Sequence, residues 1–174
     1  MLNKTLSIAL LVLSNLILTV SVSAQTVKSS AEAVRIFNAC IRPTRPPTLD
    51  CSADFVQNVF DFYNRGDHSV LKPLLTAGLS SDGALSQDLG VFYSEVISKS
   101  PRRFLSAISW RPEKHQRHLC WMAGATDGGG MPKEIYSGLR GALSAIVLRS
   151  EDPMAPVAKV CLTEIKKANQ SDNR

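Results

Sequence analysis

Apolar residues recur at spacings of three and four along most of the 174-residue chain, and no segment after the first 24 residues alternates apolar and polar positions for long. Spacings of three and four bring side chains onto one face of a helix, whereas a half-buried strand requires alternation. The clearest stripe lies between Asp82 and Lys99 and comprises Leu85, Leu89, Phe92 and Val96, with Tyr93 and Ile97 beside it. The pattern therefore predicts an all-α fold.

Capping residues, glycines and prolines divide this pattern into eight helices. The first begins at the capping box of residues Ser29 to Glu32. Gly66 is suited to close a second helix that begins near residue 52. Asp67 can cap a short third helix, which Pro73 must bend or split because proline lacks an amide donor. The other five predicted helices are 82–99, 101–110, 112–123, 132–150 and 153–168, the last four of which begin near a proline.

The predicted helix at 132–150 combines an apolar stripe with a row of small residues. The stripe is Ile135, Leu139, Leu143, Ile146 and Val147, and the small residues are Gly138, Gly141, Ala142 and Ala145. Small residues allow a neighbouring helix to approach closely, so we expect this helix to be central. Eight helices joined by tight turns predict a compact bundle of stacked antiparallel hairpins. A short α-solenoid is the alternative, although no internal repeat supports it.

The first 24 residues predict a cleavable export signal. Lys4 is the only charge before the apolar stretch 6–20, and residues Val22 to Ala24 form a small-residue cleavage pattern. A retained membrane helix is the alternative, but polar residues interrupt the apolar stretch and no positive cluster follows it. We therefore expect no membrane span after cleavage. Residues 25–174 would form a single domain with a short polar C-terminal tail, in a periplasm or outside the cell.

Four cysteines follow the predicted signal, and an oxidising compartment would pair them. Three pairings are possible. We favour Cys40 with Cys51, which would clamp a proline-rich loop, and Cys120 with Cys161, which would join the helix at 112–123 to the last helix. Each bond could stabilise the fold by about 3 to 4 kcal/mol. The cysteine spacing indicates neither a redox pair nor a zinc site.

The formal net charge of +5 is compatible with an anionic partner, and the most basic stretch is 101–121. The predicted basic face consists of Arg102, Arg103, Arg111, Lys114, Arg117, His118 and Trp121, with Glu113 as the one acid nearby. An aromatic ring among cations can stack on a sugar or base while the cations meet phosphate or carboxylate. Arg102 and Arg103 also fall in a first helical turn, where cations oppose the helix dipole. The alternative is that these charges only solvate the surface and that Trp121 packs under long side chains.

Two further motifs are weaker. His115 and His118 have a spacing that suits a metal, but they fall on different faces of their helix and lack a third ligand. We expect a partly buried His115, a surface His118 and no metal. A glycine-rich loop at 124–130 could receive an anion at the helix that follows, but it lacks the lysine of a phosphate-binding loop, and a flexible turn explains it better.

These patterns predict an exported, disulfide-stabilised helical protein that acts by binding, without catalysis or a cofactor. The partner would be an acidic protein or an anionic envelope polymer, held on the predicted basic face, and nucleic acid is not expected in this compartment. One alternative is a small exported enzyme that uses Asp127 with a histidine. Another is a structural component of the cell envelope. The sequence does not indicate an oligomeric state.

Overall fold

The structure is a computed structural model that describes residues 27–42, 51, 54–125 and 131–171. The predicted export signal, most of the proline-rich loop and Asp127 lie outside these residues. The described part of the chain is all-α, as predicted, and contains eight α-helices and one short 3-10 helix. In chain order these are α1 (Ser30–Cys40), α2 (Asp54–Asn64), the 3-10 helix (His68–Val70), α3 (Leu71–Gly78), α4 (Gly83–Lys99), α5 (Pro101–Ile108), α6 (Glu113–Gly124), α7 (Lys133–Val147) and α8 (Ala155–Ser171).

The link from α2 to α3 shows how local sequence sets the helix boundaries. Gly66 ends α2 with a φ of 100°, a conformation that other residues rarely adopt. Asp67 then accepts a hydrogen bond from the Ser69 amide at 3.1 Å and opens the 3-10 helix. Pro73 is the third residue of α3, where a missing amide donor leaves no hydrogen bond of the helix unmade. The predicted third helix is divided between Val70 and Leu71 into a 3-10 helix and an α-helix, and α3 continues through Pro73 without a split.

The centre of the bundle is formed by α4, α6 and α8. Helix α6 packs extensively on both α8 and α4. The approach is closest at two glycines: a Cβ atom on Gly90 would lie 2.6 Å from the Met122 carbonyl oxygen, and one on Gly124 would lie 2.7 Å from the Ile165 Cα. The backbones of these helices therefore meet where no side chain fits between them.

Helix α7 lies at the edge of the bundle, and the prediction that it is central is wrong. It packs against α8 and α4 through Leu139, Leu143 and Ile146, which are buried. A Cβ atom on Gly138 or Gly141 would have no neighbour within 4 Å, so these small residues meet no other helix. The prediction was wrong because the spacing of small residues is the same on a packed helix face and on an open one.

Both favoured disulfide pairings are confirmed. Cys40 is bonded to Cys51 across the proline-rich loop, and Cys120 of α6 is bonded to Cys161 of α8. Cys120 and Cys161 are fully buried, so the second bond joins the two helices inside the core. Two disulfides fit a protein that folds in an oxidising compartment. Among the described helices, none has the length and apolar character that crossing a membrane requires.

Candidate anion-binding site

The residues of the predicted basic face lie in three separate surroundings. Arg102 and Arg103 are in the first turn of α5, Arg111 and His118 lie against α3, and the remaining three are on α6. The prediction of a single face considered each helix without its neighbours. The three surroundings differ in burial and in charge pairing.

Arg111 and His118 meet the C-terminal turn of α3. Arg111 is only 9% exposed, and its Nη2 donates to the Thr76 Oγ1 at 3.0 Å. His118 donates from Nε2 to the Gly78 carbonyl oxygen at 3.0 Å. Cations and donors are favourable at a helix C-terminus, where the last carbonyl groups lack intrahelical partners. These two side chains are therefore placed to stabilise α3, and Arg111 has little surface left for a partner.

Arg117 is engaged by two carboxylates. Its Nη2 donates to the Glu113 Oε1 at 2.6 Å, and its Nη1 donates to the Glu164 Oε1 at 2.7 Å. These two partners, Glu113 first, raise the pKa of Arg117. Burial acts to raise the pKa of Glu164, but hydrogen bonds from Lys167 and Arg117 outweigh it and hold that pKa below its ordinary value. The charge of Arg117 is therefore compensated within the fold.

Lys114 and Trp121 remain on the exposed side of α6. Lys114 forms no ion pair with any described residue, and Trp121 is 40% exposed. His115 is partly buried and His118 is exposed, both as predicted, and His118 also has the contact with α3 given above. The exposed side of α6 thus offers one unpaired lysine and one aromatic ring, which is less positive charge than the sequence predicted.

A groove between the start of α5 and the second half of α7 collects three arginines. Its volume is about 540 Å³, and we call it the arginine groove. Arg102 and Arg103 line it from α5, and Arg149 lines it from the turn after α7. The other lining residues are Ser98, Ser100, Pro101, Ala142, Ala145 and Ile146. Sequence reasoning missed Arg149, because no spacing along the chain relates a residue after α7 to the start of α5.

Arg102 is held in the arginine groove by Asp152. The Arg102 Nη1 donates to Asp152 Oδ1 at 3.3 Å, and Nη2 donates to Oδ2. The Asp152 side chain is only 4% exposed and accepts the Met154 amide at 3.0 Å, ahead of α8. That backbone hydrogen bond, together with Arg102 and Arg149, lowers the pKa of Asp152 despite its burial. Asp152 is therefore an ionised anchor that fixes the direction of Arg102.

The charges of the other two arginines of the groove are not neutralised by any described residue in direct contact with them. Neither Arg103 nor Arg149 forms an ion pair or a side-chain hydrogen bond with any described residue. Ser100 precedes α5 but makes no side-chain capping bond, so the N-terminal turn has no anionic or polar cap. The three guanidinium groups and one carboxylate sum to a net positive charge, which lies at the positive end of the α5 dipole. These like charges repel each other, and a bound anion would relieve the repulsion.

The alternative enzyme site has no assembled machinery in the part of the chain that the structure describes. Asp127 lies outside that part, and so does most of the glycine-rich loop. No histidine in the described ranges donates to a carboxylate, and His118 instead contacts a backbone carbonyl. Within the same ranges, no three potential metal ligands come together.

Comparison of the chain with protein-family models, with curated proteins and with solved structures finds no match. The fold and the site define a disulfide-linked helical bundle with a cationic groove at one edge.

Proposed function

We propose that the protein is an exported binding protein that takes an anionic group of its partner into the arginine groove. The observation that carries this proposal is that Arg102, Arg103 and Arg149 line one groove, in which only Arg102 is paired with a carboxylate, the buried Asp152. The partner is an acidic protein or an anionic polymer of the cell envelope. Two disulfides and the predicted export signal support a periplasmic or secreted location.

Arginine suits this role for geometric reasons. Its planar guanidinium group presents a fork of donors that matches the two oxygens of a carboxylate or phosphate. Arg103 and Arg149 have these donors available, while Arg102 is oriented in advance by Asp152. A group that is already oriented loses less conformational entropy on binding. The affinity should fall as salt increases, because the attraction between exposed charges is screened.

The proposed binding site keeps Arg102 and Arg103 of the predicted basic face, which lie on α5, and adds Arg149. Of the exposed residues of that face on α6, Lys114 and Trp121 form no ion pair or side-chain hydrogen bond with any described residue, and they provide an internal comparison. A partner that spans both surfaces would need both sets of residues. A partner held by the groove alone would be insensitive to Lys114.

The test compares an Arg103→Gln, Arg149→Gln double variant with a Lys114→Gln control. Polyphosphate and poly-glutamate serve as phosphate and carboxylate probes, and binding is measured by calorimetry at low and high salt. We expect the double variant to bind at least about tenfold more weakly, because a hydrogen bond to a charged group contributes about 1.5 kcal/mol or more. The control should bind like the wild type.

Stability should be the same in all three proteins, within about 0.5 kcal/mol, because the substituted side chains are exposed and form no ion pair with any described residue. The proposal is wrong if the wild type binds neither probe at low salt. It is also wrong if the double variant binds as tightly as the wild type. Loss of binding in the Lys114→Gln variant would move the site to α6.

A further inference from the structure

The floor of the arginine groove is apolar, which restricts the ligand further. It is formed by Ala142, Ala145 and Ile146 on α7, between the arginines of α5 and Arg149. Ala145 is exposed to solvent and Ala142 is partly exposed, so this floor is open to a ligand. Their short side chains leave a recessed surface along α7. A purely ionic partner would contact the arginines and leave this surface in water.

The volume of the groove exceeds what a small anion needs. The groove measures about 540 Å³. Pockets for small molecules range from about 300 to 1,000 Å³. A water molecule occupies about 30 Å³ of liquid, and a phosphate ion with its five heavy atoms is only a few times larger. The groove therefore has room for more than a phosphate group, and its alanine and isoleucine lining suits a hydrocarbon group.

The charge of the groove indicates which anionic group fits. Three arginines and the ionised Asp152 leave a formal balance of two positive charges. A phosphate monoester carries close to two negative charges at neutral pH, because its second pKa is about 6. A carboxylate carries only one. Phosphate also offers three oxygens to guanidinium forks that approach from both α5 and α7.

We infer that the arginine groove binds an amphiphilic phosphate, that is, a phosphate monoester attached to an apolar chain. The phosphate lies between Arg103 and Arg149, with Arg102 held against it by Asp152. The part of the ligand's apolar chain next to the phosphate covers Ala142 and Ala145. This inference rests on the proposed function, because it names the class of ligand for the same groove. The lipid-linked phosphates of a cell envelope have this chemistry.

The test is a calorimetric titration with inorganic phosphate and with octyl phosphate, kept below the concentration at which it forms micelles. Each methylene removed from water should tighten binding about fourfold. Two methylenes in contact with the floor therefore suffice for octyl phosphate to bind more than about tenfold tighter than inorganic phosphate. Octyl glucoside, which has the same chain without the phosphate, should bind far more weakly than octyl phosphate.

Two variants distinguish binding of the ligand's phosphate group from binding of its apolar chain. Ala145→Leu fills the floor, so it should remove the advantage of octyl phosphate and leave the binding of inorganic phosphate unchanged. The Arg103→Gln, Arg149→Gln double variant should weaken both. Because Ala145 is exposed, thermal unfolding of the Ala145→Leu variant should match that of the wild type. An Ala142→Leu variant gives a second test of the same floor.

The outcomes distinguish this inference from the proposed function. Equal binding of the two phosphates by the wild type overturns the inference and leaves the anion-binding proposal standing. No binding of either phosphate, together with no binding of the polymers, overturns both. Light scattering is measured in parallel. A dimer that Ala145→Leu disrupts would show that the floor is covered by a second copy of the chain, which also overturns the inference.

Discussion

The close packing of α4 against α6 predicts opposite effects for alanine at two helical glycines. Gly90 lies inside α4 and Gly141 lies inside α7, so both substitutions remove the same helix-breaking tendency. Alanine is more favourable than glycine in a helix interior by about 1 kcal/mol. The two sites differ in what the new Cβ atom meets, and the difference between them therefore reports packing alone.

The magnitude follows from the distances. At Gly141 no atom lies within 4 Å of the added Cβ, so Gly141→Ala should stabilise the protein by about 0.5 to 1 kcal/mol. At Gly90 the Cβ would lie 2.6 Å from the Met122 carbonyl oxygen, which belongs to the backbone of α6 and cannot rotate away. Overpacking of this kind costs about 1 to 3 kcal/mol. Because the gain in helix propensity is common to both variants, they should differ by this packing cost, about 1 to 3 kcal/mol.

The assay is urea denaturation of the oxidised protein, followed by helical circular dichroism, with the wild type and both variants at neutral pH. A thermal scan provides an independent measure, since 1 kcal/mol corresponds to about 2 to 4 °C in a domain of this size. If both variants gain stability equally, α4 and α6 are not in backbone contact. If Gly141→Ala loses more stability than Gly90→Ala, α7 is central after all.

Three further predictions concern stability. Replacing both cysteines of the bond between α6 and α8, which are 41 residues apart, should lower the free energy of unfolding by about 4 kcal/mol, against about 3 kcal/mol for the shorter loop of the other bond. Arg111→Gln should cost about 1 to 3 kcal/mol by removing the hydrogen bond that the buried Arg111 donates to Thr76, whereas Lys114→Gln should change stability by less than about 0.5 kcal/mol. Asp152 and Glu164 have folded-state pKa values below their ordinary 3.8 and 4.5, so their contribution is complete above those values and is lost as the pH falls through the lower folded-state values.

Urea titrations of the oxidised proteins measure all three effects. Equal losses for the two disulfides would contradict the loop-length argument. An Arg111→Gln variant as stable as Lys114→Gln would mean that Arg111 is not buried against α3. The acid sensitivity should be smaller in an Asp152→Asn variant. If that variant and the wild type lose stability in parallel below neutral pH, Asp152 is not among the carboxylates responsible.

Much of the helical layout is predictable because it depends on local chemistry. Proline and capping residues placed α4 within one residue of its observed start, and they placed the starts of α5 to α8 within two residues. The left-handed Gly66 and the cap at Asp67 are likewise local. The pairing of Cys40 with Cys51 is also local, because only a short loop separates the two cysteines. These features need no knowledge of which helices touch.

The burial of helix faces was less predictable because it depends on neighbours far along the chain. Glycines at 90 and 124 are packed, whereas glycines at 138 and 141 are open, and all four lie in helices. Spacing favoured the second pair because it belongs to a longer row of small residues. Gly90 and Gly124 are buried because α6 packs between α4 and α8, and the spacing of residues along the chain does not show this packing.

The candidate site was predicted in part. Arg102 and Arg103 belong both to the predicted basic face and to the arginine groove. The partners of the basic residues are distant along the chain: Glu164 is 47 residues from Arg117, and Asp152 is 50 residues from Arg102. A helical projection contains no information about such partners. The repulsion between Arg102, Arg103 and the dipole of α5 was the one local signal that pointed to the groove. Arg149 carried no such signal.

Whether anions bind at the arginine groove can be measured from the amide resonances of the isotope-labelled protein during a phosphate titration. We expect saturable shifts at the amides of Arg102, Arg103 and Arg149 and at their guanidinium groups, with the resonances of Lys114 unchanged. Shifts confined to the exposed side of α6, or shifts that never saturate anywhere in the protein, would contradict it.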